Sequence, residues 1–243
     1  MGSQPGKGAV SGEPATLAEA VDAVAGQLSP ALAEYFRAEV PGAGEHVCHQ
    51  VLAAAYTENI DGLRDRLRDV WGLVAWPVRG GGRVVFDGVR GPADMLRVSG
   101  PVWWEDGAQR EHLTDPARLA DVLLGGGDVG AELVNSAVNS AVAKCRLPVL
   151  AADALTVAGA LGPDAGVLLL EQLSTAGHNV HPCGRTRLGM SISDVMRFDV
   201  GVEGVELPVV AVRRDVHVGD DVGALLGLPE AEPGYVLQPV HPW

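Results

Sequence analysis

The chain has 243 residues, 47% of them apolar, and a formal net charge of −13 at pH 7. That length and apolar content are enough to bury a core, which excludes a disordered chain. The acidic balance excludes a nucleic-acid binder, because phosphate backbones need clustered Lys and Arg. A nucleotide substrate stays open, since one local basic cluster can hold a triphosphate on an acidic protein.

Residues 1–14 are rich in Gly, Ser and Pro and read as a tail. They lack the apolar segment of a secretory signal, and nowhere does an apolar run approach the ~20 residues of a membrane helix. Thr16 is placed to cap a helix from Leu17. Apolar residues at helical spacing run to Phe36, and Gly26 with Ser29-Pro30 divides that stretch into two helices. Further helices are expected over Glu45–Tyr56 and Ile60–Val70. Short β-rich runs at Leu73–Val78, Arg83–Phe86 and Met95–Pro101, broken by glycines, predict antiparallel strands. Trp103 and Trp104 should then face opposite sides of a strand, as core packing rather than a ligand platform.

Helical patterns return at Pro116–Leu124, Val129–Lys144, Ala151–Leu161 and Ala165–Ala176, with Gly177 where a helix stop belongs. Strands are expected at Val205–Val212 and Tyr235–Val240, around a short helix at Asp220–Leu226. The expected fold class is α+β, a helical N-terminal lobe over residues 15–72 followed by a mixed α/β lobe over 73–243 with a largely antiparallel sheet. Cys48, Cys145 and Cys183 are few, widely spaced and without a C-x-x-C pair, so they read as reduced thiols of a cytoplasmic protein.

One stretch carries chemistry. Residues 177–189 gather His178, His181, Arg185, Thr186 and Arg187 within ten residues, shaped by glycines and Pro182. Glycine-bounded loops free backbone N–H groups, and Arg offers a planar fork, so the stretch reads as a cradle for phosphate or carboxylate. His178, His181 and Cys183 could in principle hold zinc, but a helical H-E-x-x-H context and a nearby fourth ligand are missing, and no metal ligand is assigned. Asp215, Asp220 and Asp221 read as a solvated loop with a helix cap rather than a Mg²⁺ site. His46 and His49 share one helix and receive no catalytic role. The chain has neither the phosphate-loop pattern G-x-x-x-x-G-K-[ST] nor G-x-S-x-G, which excludes a P-loop NTPase and weakens a serine hydrolase reading.

The loop resembles the G-H-P-x-H-P-x-x-K-x-R-x-G signature of siderophore synthetases of the NRPS-independent, IucA/IucC (aerobactin synthetase-like) family. It matches without a gap at Gly177, His178, His181, Pro182, Arg187 and Gly189, with Arg185 in the Lys place and Asn179 in the place of the first Pro. Pro239-Val240-His241-Pro242-Trp243 resembles the family's P-x-H-P-W-Q. Glu132-Leu133, with Asn135, Ser136, Asn139 and Ser140, resembles its Glu-Leu-x-x-Ser helix. Phe198-Asp199-Val200-Gly201-Val202 departs from the family's Tyr-x-Pro-Glu-Phe step, lacking the Pro and the Glu.

The resemblance implies an ATP- and Mg²⁺-dependent ligase that adenylates a polycarboxylate such as citrate and joins it to an amine or alcohol. It implies ATP contacts from His178, His181, Arg185, Thr186 and Arg187, leaves the catalytic residues unassigned, and makes this chain the N-terminal part of such an enzyme, inactive alone. The alternative is a non-catalytic module that dimerises, or that docks or regulates a complementary synthetase half.

Overall fold

The computed structural model describes residues 16–70, 73–78, 80–146, 154–175, 177–178, 180–199 and 205–240. The expected tail, the start of the helix expected at Ala151, Ala176, Asn179, residues 200–204 and the His241-Pro242-Trp243 signature lie outside them.

Helix α1 (Leu17–Ala25) begins as expected. The Thr16 hydroxyl accepts from the Glu19 N–H (3.3 Å), and the Glu19 carboxylate accepts from the Thr16 N–H (3.2 Å). Ser29 and Pro30 then start α2 (Pro30–Thr57). The stretches expected to end at Phe36 and to start at Glu45 are one helix, with Pro41 inside it. Its buried face is continuous across the proline, through Phe36, Val40, Ala43, Val47, Val51 and Leu52, so packing outweighs the local cost of Pro41. Gly44 lets the helix touch the chain beyond it, since a Cβ there would lie 2.1 Å from the Thr114 carbonyl oxygen.

The helix expected over Ile60–Val70 does not persist. A 3-10 turn at Ile60–Gly62 leads into α3 (Leu63–Arg66) and then strand β1 (Arg68–Val70). Gly62 sits at φ +71°, which interrupts the helix, and β1 gains strand pairing with β2 (Leu73–Pro77). The sheet continues through β3 (Arg83–Arg90), β4 (Leu96–Asp106) and β5 (Gln109–His112), antiparallel throughout in the order β1-β2-β3-β4-β5. A register shift between Val85 and Asp87 marks a bulge against β4. The two tryptophans divide as expected. Trp104 packs on the core side, and Trp103 sits beneath the Arg110 guanidinium, 4.1 Å from its ring centre.

Asp115 caps α4 (Pro116–Leu124), and its carboxylate also accepts from the Leu17 N–H (3.1 Å), tying the start of α1 to that of α4. Then comes α5 (Val129–Arg146). Helix α2 lies against β4, and α1, α4 and α5 pack on α2, in a single core that includes Phe36, Tyr56, Trp76, Phe86, Leu119 and Leu133.

Next in order are α6 (Ala154–Leu161), α7 (Pro163–Leu173), α8 (Ile192–Phe198), β6 (Val209–Arg213), α9 (Val222–Leu225) and β7 (Tyr235–Pro239). Sequence patterning did not foresee α8. It is set by a Ser191/Asp194 capping box and by Ile192 and Val195, which reach the core. Strands β6 and β7 pair antiparallel as a separate two-stranded sheet. The architecture is α+β with antiparallel sheets, as expected.

Candidate functional site

The site begins with a helix that carries too many polar residues for a core element. Ser136, Asn139 and Ser140 of α5 are buried, at 2–3% exposure. Buried polar groups need partners; the Ser140 hydroxyl donates to the Ser136 carbonyl within α5 (2.8 Å), and for Ser136 and Asn139 the partner is the histidine–arginine loop. The Asn135 Oδ1 accepts from the Arg187 N–H (2.7 Å), and the Ser136 Oγ accepts from the Arg185 N–H (3.3 Å). The Asn139 amide donates to the Arg185 carbonyl (3.0 Å) and to Asn135 Oδ1 (2.8 Å). The Thr186 hydroxyl donates to the Glu132 carbonyl (2.8 Å). The two stretches singled out in sequence, 132–140 and 177–189, are therefore two halves of one interface.

The loop's own shape follows from its glycines. Gly177 has φ +67°, and a Cβ on it would lie 2.9 Å from the Gly184 carbonyl oxygen. A Cβ on Gly184 would lie 2.7 Å from the His178 nitrogen. The loop thus closes backbone against backbone at a spacing no side chain permits. On its far side the Gln50 amide of α2 donates to the His178 carbonyl (2.9 Å).

The five candidate residues fall into two groups. Arg185 is buried, with a guanidinium that donates to Asp199 (2.9 Å), to the Thr175 carbonyl (3.0 Å) and to the Ser174 carbonyl. Burial pushes it below the usual guanidinium range, Asp199 pulls it back up, and neighbouring Arg187 lowers it further. Arg187, with a side chain 30% exposed, donates to the other Asp199 oxygen (3.2 Å). Thr186 faces α5. Asp199 is the residue that sequence reasoning missed; it stands in the stretch noted only as a departure, and its signal was a lone acid after Phe198 downstream of two arginines.

His178 and His181 form the second group. The Nδ1 of His178 accepts from the N–H groups of Val180 (3.3 Å) and His181 (3.2 Å), and that of His181 accepts from Cys183 N–H (3.1 Å). A ring nitrogen that accepts carries no proton, so in both neutral imidazoles the hydrogen sits on Nε2. Both histidines line a cavity of about 890 Å³ between the loop, α2 and β4. His46, His49, Glu132 and the apolar Leu96 and Val98 also line it. His46 Nε2 is buried without a hydrogen-bond partner, and burial, Lys144 and His49 hold its imidazole below the usual range. Among the described residues no three His, Cys, Asp or Glu side chains are grouped to hold a metal ion. Cys48 and Cys183 are free thiols, and burial raises both.

Fold and loop together define an α+β protein with a histidine-lipped cleft beside a paired-arginine anchor. Residues 167–243 match the model of the IucA / IucC family. The fold over 85% of the chain is similar to 40% of a solved aerobactin synthetase IucC from a hypervirulent pathotype of Klebsiella pneumoniae, at a TM-score of 0.57 and 17% identity. At that identity the likeness speaks to fold alone, and the chain spans two fifths of that structure's length. No curated protein matches the chain. No helix among the described residues is long and apolar enough to cross a membrane.

Proposed function

We propose that the chain is the nucleotide-binding portion of an ATP-dependent siderophore synthetase that adenylates a polycarboxylate such as citrate and condenses it with an amine or alcohol. The observation that carries this reading is the family's histidine loop, held by α5, whose His178 and His181 line a cavity of about 890 Å³ and use Nδ1 to accept from the loop's own backbone. Cavities of this size accommodate nucleotide-sized ligands.

In this reading the carboxylate oxygen attacks the α-phosphorus of ATP, pyrophosphate leaves, and an acyl adenylate forms. The amine or alcohol then displaces AMP to give an amide or ester. Two anions must approach each other, so preorganised donors and cations dominate the barrier. His178 and His181 donate from Nε2 to phosphate oxygens. Arg187, half-steered by Asp199, supplies positive charge at the loop's edge. Arg185 and Thr186 serve the same anion indirectly, by fixing the loop. The described residues do not by themselves build a Mg²⁺ site, so the ion belongs with the triphosphate and no step is assigned to it. The reading places the chain in the cytoplasm, where ATP is available and its thiols stay reduced.

ATP titration by calorimetry tests the reading. The chain should bind ATP, and a His178→Ala/His181→Ala variant should bind about tenfold or more weakly, the loss expected for charge-assisted hydrogen bonds. Equal ATP affinity in the variant would overturn it. Pyrophosphate release with citrate should be absent from the chain alone, which matches only 40% of the solved synthetase.

A further inference from the structure

The chain holds only two lysines, Lys7 and Lys144, against a net charge of −13. Lys144 lies where α5 packs on α2, on the wall of a second cavity of about 350 Å³. Helical spacing brings that wall together. Gly42, His46 and His49 follow one stripe of α2, and Ser140 and Lys144 lie one turn apart on α5. His46 and His49 also line the histidine cavity, so the two spaces share a wall. The polar groups here are unequally satisfied. Glu45, the one acid on the lining, is turned to His112 (3.0 Å). The Ser140 hydroxyl donates to the Ser136 carbonyl (2.8 Å), and His49 Nε2 donates to the Gly100 carbonyl (2.8 Å). Half-buried Lys144 has no hydrogen-bond or ion-pair partner among the described residues. His46 Nε2 is buried without a partner. A buried N–H with no acceptor is rarer than an unused acceptor, so the hydrogen of the neutral His46 ring sits on Nδ1. The Lys144 ammonium and the His46 Nδ1–H are thus the donors left for a ligand.

We infer that this second cavity binds one oxyanion, a phosphate or a carboxylate group, on Lys144 and His46. Burial, Lys144 and His49 together disfavour a charge on the His46 ring, and an anion between ring and ammonium reverses that balance. Charge-assisted hydrogen bonds in such a partly buried place are the strong ones. The ammonium repels a cation, and an apolar ligand would strip it of water without return. The volume falls at the small end of ligand sites and has room for a pyrophosphate or a citrate. This site uses neither His178 nor His181, and it does not depend on the nucleotide reading of the larger cavity. Its place beside that cavity leaves two sources for the oxyanion, a phosphate group or the carboxylate of a free acid.

Calorimetric titration of the chain with sodium pyrophosphate and with sodium citrate, in chloride-free buffer of low ionic strength, tests the site. At least one anion should bind. Lys144→Met keeps the aliphatic stem and removes the charge, and it should weaken that binding about tenfold or more. Pyrophosphate binding that needs Lys144 assigns the site to phosphate, and citrate binding that needs it assigns the site to carboxylate. The His178→Ala/His181→Ala variant should retain the affinity. A parent chain that binds neither anion overturns the proposal. So does binding as tight in Lys144→Met as in the parent, or binding weakened as much by the histidine variant as by Lys144→Met. Reductive ¹³C-methylation gives a readout without substitution, because Lys7 is the one other lysine. The Lys144 resonance should move on addition of the anion and the Lys7 resonance should not; a fixed Lys144 resonance overturns the proposal. A chain that binds the anion through Lys144 yet fails to bind ATP defeats the nucleotide reading and leaves this site standing.

Discussion

Arg185 and Asp199 form an ion pair at 2.9 Å with side chains only 3% and 7% exposed, and Asp199 uses its other oxygen for Arg187. A pair so deeply buried gains little over an apolar replacement, but breaking it strands a charge in the interior. Asp199→Asn should therefore lower stability by about 3–5 kcal/mol, read as a drop in the urea midpoint. The double change Arg185→Met with Asp199→Leu should recover most of that loss. A single Asp199→Asn variant as stable as the parent would show that the carbonyls of Ser174 and Thr175 suffice for Arg185.

Asn139 lies at the centre of the joint between α5 and the loop, donating both to Asn135 and to the Arg185 carbonyl. Asn139→Leu leaves that carbonyl without its donor, a loss of about 1–3 kcal/mol. The more specific readout is local. Amide exchange at Arg185 and Arg187 should quicken, while that in the β2–β3 ladder should change only with global stability.

How much of this was legible in sequence depended on whether the signal was local. The cap at Thr16, the break at Ser29-Pro30, the antiparallel strands, and the helix over Pro116–Leu124 each follow from a few neighbouring residues. The single helix running through Pro41 was not legible, because only its packing against the sheet and α5 outweighs the proline. Nor was the break at Gly62, which is stabilised by pairing of β1 with β2. In the site, the loop and the polar helix could each be picked out by pattern. Their contact spans about fifty positions of chain (Arg185 to Ser136, for instance), and no periodicity encodes it. Asp199 was hidden for the same reason.

The glycine pair makes a further check on the loop. Gly184→Ala would place a methyl group 2.7 Å from the His178 nitrogen, against backbone that cannot swing aside. The loop must open, which moves both imidazoles off the cavity wall. The expected result is ATP affinity reduced about as much as by losing the histidines themselves, roughly tenfold, with a smaller effect on the urea midpoint than Asp199→Asn. Gly42→Ala, where a Cβ would meet nothing within 4 Å, serves as the control and should be neutral or slightly stabilising.

The cleft also predicts a pH dependence of stability with a definite sign. His46 is held below its ordinary value of 6.5, first by burial and then by Lys144 and His49, and its Nε2 has no partner. A histidine depressed in the folded state stays neutral there while the unfolded chain takes up a proton. Its contribution to stability is thus fully present above about pH 6.5 and is lost as the pH falls from there toward the folded value. The urea midpoint should decline between about pH 7 and pH 5, and His46→Gln should flatten that decline without changing the slope above pH 7. The carboxylates contribute in more acidic solution and the thiols in more alkaline solution, so the window isolates the histidines. The chain has seven histidines, which makes the variant, rather than the parent curve alone, the decisive measurement. A His46→Gln profile parallel to the parent between pH 7 and pH 5 would overturn the assignment.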